Sequence, residues 1–328
     1  MSIAKNKLVL AVLFITIIVS GCAGGDGEET SDTAAIDVNE LSAFPNPAPG
    51  DQNVRFRMQL ENVGDHDAED VYARLYNPPF ADSSADTNSW RSESGDGVDT
   101  AERTLEFSDL DAPGDTPATP STRTVTFQSP EVDDGRTVDY TMRADILYRY
   151  GTSATTELEV MGDDAYRDAG SPQGSASIQN DVGPIQMEIR TPTPIAIYDT
   201  DQDTVEEELC VIVRNQGDGV PFADEDDEAL VGGDEGYDLD EVSDNTNKVK
   251  LSIENVGRLS FREDDSGDYS ERVSSQEAEI IGGRAVVCWD MEIETDGSSS
   301  LETTIPVDID STYFYKQEDA TTVSVEGR

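Results

Sequence analysis

One histidine, three cysteines and seventy acidic side chains set the chemistry open to this 328-residue sequence. His66 lies in the turn-like stretch DHDAED, which reads as solvent-exposed. A Ser-His-Asp or Cys-His site would have to use it, yet no Gly-x-Ser-x-Gly motif accompanies it. A histidine-based zinc site and a phosphate-cradling glycine loop are equally without support in the sequence. Paired carboxylates are so numerous that any two of them are weak evidence for a glycosidase-like pair. The sequence therefore reads as non-enzymatic, with no catalytic residues assigned. Asp199, Asp201 and Asp203 have the alternate spacing that can present oxygens to calcium. The full EF-hand pattern is absent: the sixth place is Thr204 and the twelfth is Cys210. Asp224, Asp226, Asp227 and Glu228 make a second acidic cluster. Two readings stand for both clusters, solvated surface charge and calcium sites that stiffen loops. No other cofactor is implied. Trp90, in the loop TNSWRSES, has no strand pattern around it; it is a candidate contact residue or a ring tucked under its own loop.

The third cysteine lies at a seam. Lys5 and Lys7 precede an apolar run, Leu8 to Val19, in which only Thr16 is polar. That run is short for a membrane span, which takes roughly 20 residues, and it has the build of a secretory signal. Val19-Ser20-Gly21-Cys22 resembles the lipobox of bacterial and archaeal lipoproteins. The resemblance implies cleavage before Cys22, a lipid on its thiol and an anchor in the membrane. Residues 1–21 are then the signal peptide and 22–35 a flexible tether.

The formal charge is −48, from 70 acids and 22 bases. Loss of residues 1–21 removes two lysines and takes it to −50 (−48 − 2). Only Lys248, Lys250 and Lys316 then remain, so nearly all positive charge is arginine. Self-repulsion at this density loosens a compact fold in dilute buffer, and molar salt shortens the screening length to about 3 Å. Acid excess with scarce lysine resembles the proteins of extreme halophiles, especially haloarchaea. Nucleic acid is not a partner on this reading, because phosphates are repelled.

The elements that must position these residues come in two copies. At an offset of 165, Asp145 falls on Asp310, Tyr148 on Tyr313, Tyr150 on Tyr315, Thr156 on Thr321, Val160 on Val325 and Gly162 on Gly327. Tyr140, Met142, Ala144, Ile146, Tyr148 and Tyr150 alternate with mostly polar residues, which predicts a strand with one buried face. Ile305, Val307, Ile309, Tyr313 and Tyr315 do the same. Each tyrosine strand is expected to turn and return as a Thr/Val strand, forming a hairpin. The four tyrosines are expected to pack in the core or at a sheet edge, the alternative being a ligand face, with Phe314 partly exposed.

Earlier in each copy, Val54, Phe56, Met58 and Leu60 alternate before Asn62-Val63-Gly64-Asp65. Leu209, Val211 and Val213 alternate before Asn215-Gln216-Gly217-Asp218, at an offset of 153. The second copy thus holds twelve more residues between these points (165 − 153), assigned to the acidic stretch 218–246. Strand, Asn-x-Gly-Asp turn, strands and a tyrosine strand resemble the Ig-like modules of archaeal S-layer-type proteins. They are also similar to the cell-adhesion-related domain of bacterial surface proteins. The resemblance implies an all-β chain of two tandem Ig-like sandwiches, 36–162 and 184–328, joined by a linker at 163–183. Many short strands with turn signals point the same way.

Parity places Cys210 and Cys288 on outward faces, because Leu209 and Val211, and Val287 and Trp289, take the core. Outward cysteines bond only when their strands are neighbours in one sheet, as strands B and E are in an Ig-like sandwich. An oxidising surface permits the disulfide; the alternative is two free thiols. The function expected is a lipid-anchored protein on the extracellular face of the membrane. Its two modules would serve envelope structure, adhesion or contact with surface proteins. The rival is a lipoprotein that captures a solute or calcium for a membrane partner.

Overall fold

The computed structural model describes residues 34–77, 79–80, 87–95, 98–99, 103–114, 116–198, 203–223, 246–262, 273–295 and 297–327. Cys22, Asp199, Asp201 and the cluster Asp224 to Glu228 lie outside them.

Alternation delivers strands where the sequence predicts them. Asn53–Asn62 buries Val54, Phe56, Met58 and Leu60, and Thr204–Asn215 buries Leu209, Val211 and Val213. The fold is all-β, as expected; the single α-helix among the described residues is Asp163–Asp168. No helix there is long and apolar enough to cross a membrane.

Two four-stranded sheets organise the copies. The first runs in the order Ile36–Phe44, Asn53–Asn62, Ser121–Gln128, Arg91–Gly95. The second runs Ile185–Ile189, Thr204–Asn215, Arg284–Glu294, Leu259–Phe261. A third, eleven-stranded sheet serves both copies, and at its centre lie two long strands, Thr137–Gly162 and Glu302–Glu326.

These long strands correct the expected hairpins. Thr137–Gly162 has 26 residues and Glu302–Glu326 has 25, and neither turns. They pair antiparallel along their whole length, from Thr137 opposite Glu326 to Met161 opposite Glu302. Parity holds throughout: Met142, Ala144, Ile146, Tyr148 and Tyr150 are buried, and so are Thr152, Ala154, Thr156, Leu158 and Val160. One strand face thus lines the core of both copies.

Each long strand also crosses from one copy to the other. Glu69–Tyr76 pairs with residues 143–149 of the first, whereas Ile178–Asn180 and Ile195–Ile197 pair with residues 154–162. On the second, Lys248–Glu254 pairs with 309–312, while Ala48–Pro49 pairs with Val325 and Glu326. Residues 32–328 accordingly form one compact unit. The expected linker is built into it through the helix Asp163–Asp168 and the strand Ile178–Asn180.

The register carries a pseudo-two-fold relation. The 165-residue offset makes Tyr148 equivalent to Tyr313 and Tyr150 to Tyr315, whereas pairing sets Tyr148 opposite Tyr315 and Tyr150 opposite Tyr313. The axis passes at the pair Arg149 and Phe314, which are both offset-equivalent and opposite in the ladder.

Candidate functional site

The four tyrosines meet at this crossing. Their ring centroids stand 5.8–6.3 Å apart around the quartet, mostly edge to face, an arrangement that aromatic quadrupoles favour. All four rings are buried, which fulfils the core expectation. Burial raises every phenol: Tyr150 and Tyr315 to about 12, and Tyr148 and Tyr313 well above the ordinary range. They stay neutral over the physiological range.

Two of them lock the repeated turns. The Tyr150 hydroxyl accepts the His66 backbone N–H at 3.1 Å and donates to the Val182 carbonyl at 3.0 Å. The Tyr315 hydroxyl accepts the Gly219 N–H at 2.8 Å and donates to Asn215 Oδ1 at 3.1 Å. The two asparagines brace their turns differently: the Asn62 amide donates to the carbonyls of His66 and Leu110, and the Asn215 amide to that of Gly219. A Cβ on Gly64 would overlap the Tyr150 hydroxyl, and one on Gly217 would overlap that of Tyr315. This contact is the physical reason for Asn-x-Gly-Asp in both copies: glycine lets the backbone reach the phenol.

Each turn also grips the chain where the copies join, the first at Val182 of the connecting segment and the second at Pro184 just beyond it. Asp65 accepts the Val182 N–H through its carboxylate at 2.6 Å, and its own N–H reaches the Val182 carbonyl at 3.2 Å. The backbone N–H groups of Gln216 and Gly217 both reach the Pro184 carbonyl, at 2.8 and 3.3 Å. His66 is not a solvated turn residue, contrary to expectation. It is half-buried, with Nε2 2.9 Å from the Asp181 carboxylate and its ring edge-on to Tyr150. Sequence reading missed this because the partner is 115 positions away.

The remaining candidates divide. Cys210 and Cys288 form the disulfide, directly opposite each other in one sheet, as parity required. Asp203 is described and exposed, and its carbonyl accepts the Thr295 N–H at 2.9 Å. Among the described residues the ligand-type side chains gathered within 4.8 Å are Glu208, Cys210 and Cys288, and those two sulfurs are bonded to each other. Trp90 is corrected: it is 0% exposed and offers no contact surface. Its ring packs edge-on to Phe56 and Tyr140, and its backbone N–H donates to the Pro79 carbonyl at 3.1 Å, so the loop drops the indole into the first core. Phe314 is also buried, against Leu147 and Phe222, with the Arg149 guanidinium 5.1 Å from its ring. The strand Val220–Ala223 covers it, pairing Phe222 opposite Phe314.

No protein-family model matches this chain, and no curated protein does. Among solved structures, a secreted serine protease, VesC of Vibrio cholerae, aligns at 8% identity and a TM-score of 0.19, over 86% of this chain and 50% of that one. The C-terminal globular domain of an oligosaccharyltransferase from Pyrococcus abyssi aligns at 9% and 0.23, over 89% and 48%. Alpha-2-macroglobulin of Escherichia coli aligns at 8% and 0.15, over 89% and 32%. This chain thus spans half or less of each of these, and likeness at this level carries no argument about function.

Proposed function

We propose that this chain is a non-enzymatic, lipid-anchored surface protein of a halophilic archaeon. It holds two Ig-like β-modules as one stiff body outside the membrane for protein contact within the envelope. The observation that carries the reading is the junction. The two long strands pair without interruption across it, the first Asn-x-Gly-Asp turn clamps Val182 of the connecting segment there, and the second holds Pro184 just beyond that segment. Capture by domain closure needs a hinge whose backbone absorbs the motion, whereas continuous ladders with clamped turns favour rigid display. The anchor rests on the lipobox resemblance at Cys22, and the salt-adapted habitat on the −48 charge.

The test begins with Cys22→Ser in a haloarchaeal host. The wild-type chain is expected in the membrane fraction with a lipid mass on its mature N-terminus, and the variant in the medium. Recovery of an unlipidated wild-type chain from the cytosol would sink the anchor. Cross-linking of intact envelopes in molar salt then identifies the protein it touches. Calcium titration in the same salt is expected to give no heat and no thermal shift; a saturable heat would transfer the reading to cation capture.

A further inference from the structure

We propose that Cys210–Cys288 is a thiol-exchange site on the outer face of the second sheet, at which Glu208 slows opening and selects the thiol by charge, admitting cationic thiols and turning away anionic ones. The register supplies the arrangement. Glu206 stands opposite Glu292, Glu208 opposite Asp290 and Cys210 opposite Cys288. Alternation puts all six side chains on one face, because the residues between them, Glu207 apart, fill the core: Leu209 and Val211 on one strand, Val287, Trp289 and Met291 on the other. The sulfurs therefore end a ladder of four carboxylates. Like charges directly opposed in a sheet cost stability, so packing does not explain the ladder. Glu208 comes closest, with Oε2 3.2 Å from the Cys210 sulfur. Asp290 has a counter-charge in Arg262 at 2.7 Å, but no ion pair involves Glu208 among the described residues. Cys210 is 8% exposed and Cys288 half-buried, so Cys288 is the more exposed residue of the pair.

The chemistry follows from which sulfur is struck. A small thiolate attacks the Cys288 sulfur in line with the disulfide. A mixed disulfide forms there, the Cys210–Cys288 bond breaks, and its electron pair leaves on the Cys210 sulfur. A second thiolate then attacks the small thiol's sulfur in the mixed disulfide and releases Cys288 as a thiolate. The protein gains two electrons, the two small thiols leave as their own disulfide, and solvent protons neutralise the cysteines. Exchange is faster when the departing sulfur is the better stabilised anion. Here it must take up negative charge beside a carboxylate, which stabilises the thiol over the thiolate. Attack on Cys210 instead would bring the incoming anion past Glu208 itself. The flanking carboxylates repel an anionic thiol on either route and attract a cationic one.

The experiment uses the full chain, oxidised and folded, and two thiols of similar size: cationic cysteamine and anionic 2-mercaptoethanesulfonate. Opening rates are divided by thiolate concentration. At low salt, in which the chain is first shown to remain folded, cysteamine is expected to be about tenfold faster. In molar salt, where the screening length is about 3 Å, the gap should narrow to about twofold. Glu208→Gln should speed the sulfonate thiol several-fold and narrow the gap at low salt. Glu292→Gln, one rung further from the sulfurs, should do so less. Equal rates for the two thiols in the wild-type chain would overturn the proposal, as would a Glu208→Gln variant with unchanged rates. Acceleration of both thiols by the same factor would overturn the selection by charge.

Discussion

The two copies of the Asn-x-Gly-Asp turn solve one problem with different atoms. In each, the backbone N–H four residues after the asparagine, His66 or Gly219, donates to a core tyrosine. In the first copy that tyrosine hydroxyl donates to the Val182 carbonyl of the connecting segment. In the second it donates to Oδ1 of the turn's own Asn215. Through its phenol, the first turn is therefore tied to another part of the chain, and the second to its own asparagine. The sheets differ likewise. The second has the covalent rung Cys210–Cys288, whereas the corresponding place in the first is Arg57 opposite Thr124, with Arg57 paired to Glu40 at 3.2 Å. A duplicated module keeps its backbone geometry and renegotiates the side chains that secure it.

The largest test of this contrast is removal of the covalent rung. Replacing both cysteines by alanine should cost about 4 kcal/mol for a separation of 78 residues on the chain-entropy account. Because one pair of strands runs through both halves, the loss should lower a single calorimetric transition. Two separated transitions would break the idea of a shared body. Gly64→Ala and Gly217→Ala come next, each at about 1–3 kcal/mol in denaturant titration, since both force a Cβ against a phenol. Gly64→Ala should be the worse, because its Cβ would overlap the Tyr150 hydroxyl more deeply than a Cβ on Gly217 would overlap that of Tyr315.

Alkali should expose the tyrosines next. Their folded pKa values lie above the unfolded value near 10. The unfolded chain thus loses protons first, and stability falls as pH rises. For Tyr150 and Tyr315 the stabilisation is complete below pH 10 and is lost between about 10 and 12. Tyr150→Phe or Tyr315→Phe should make that decline shallower, followed by circular dichroism in molar salt. The smallest effect is expected from His66→Ala. Its 2.9 Å contact with Asp181 is more than a third exposed on both sides, so at most about 1 kcal/mol is at stake.

Much of the architecture was legible in local patterns. Period-two burial marked the strands, and parity alone put Cys210 and Cys288 on the outward face where they meet. The copies were visible because the same glycines, asparagines and tyrosines recur at two offsets. What sequence reading lost was long-range. The turn expected after Tyr150 would begin at Gly151, but Gly151 lies inside a strand where a Cβ would stand 3.3 Å from the Ser311 carbonyl of the neighbouring strand. Close approach between strands calls for glycine as readily as a bend does. Trp90 lacked alternating neighbours because a loop, and not a strand, delivers its ring to Phe56 and Tyr140. The partners of His66 and Phe314 come from segments that the one-dimensional pattern does not associate with them.

The described chain begins at the crossing. The Ala35 carbonyl accepts the N–H groups of Val63 and Gly64, beside the first locked turn. From this crossing each long strand runs about a dozen residues to either side, roughly 40 Å at 3.3 Å apiece. A pull on the chain at Ala35 is therefore shared by the ladders of both copies, with neither arm loaded alone.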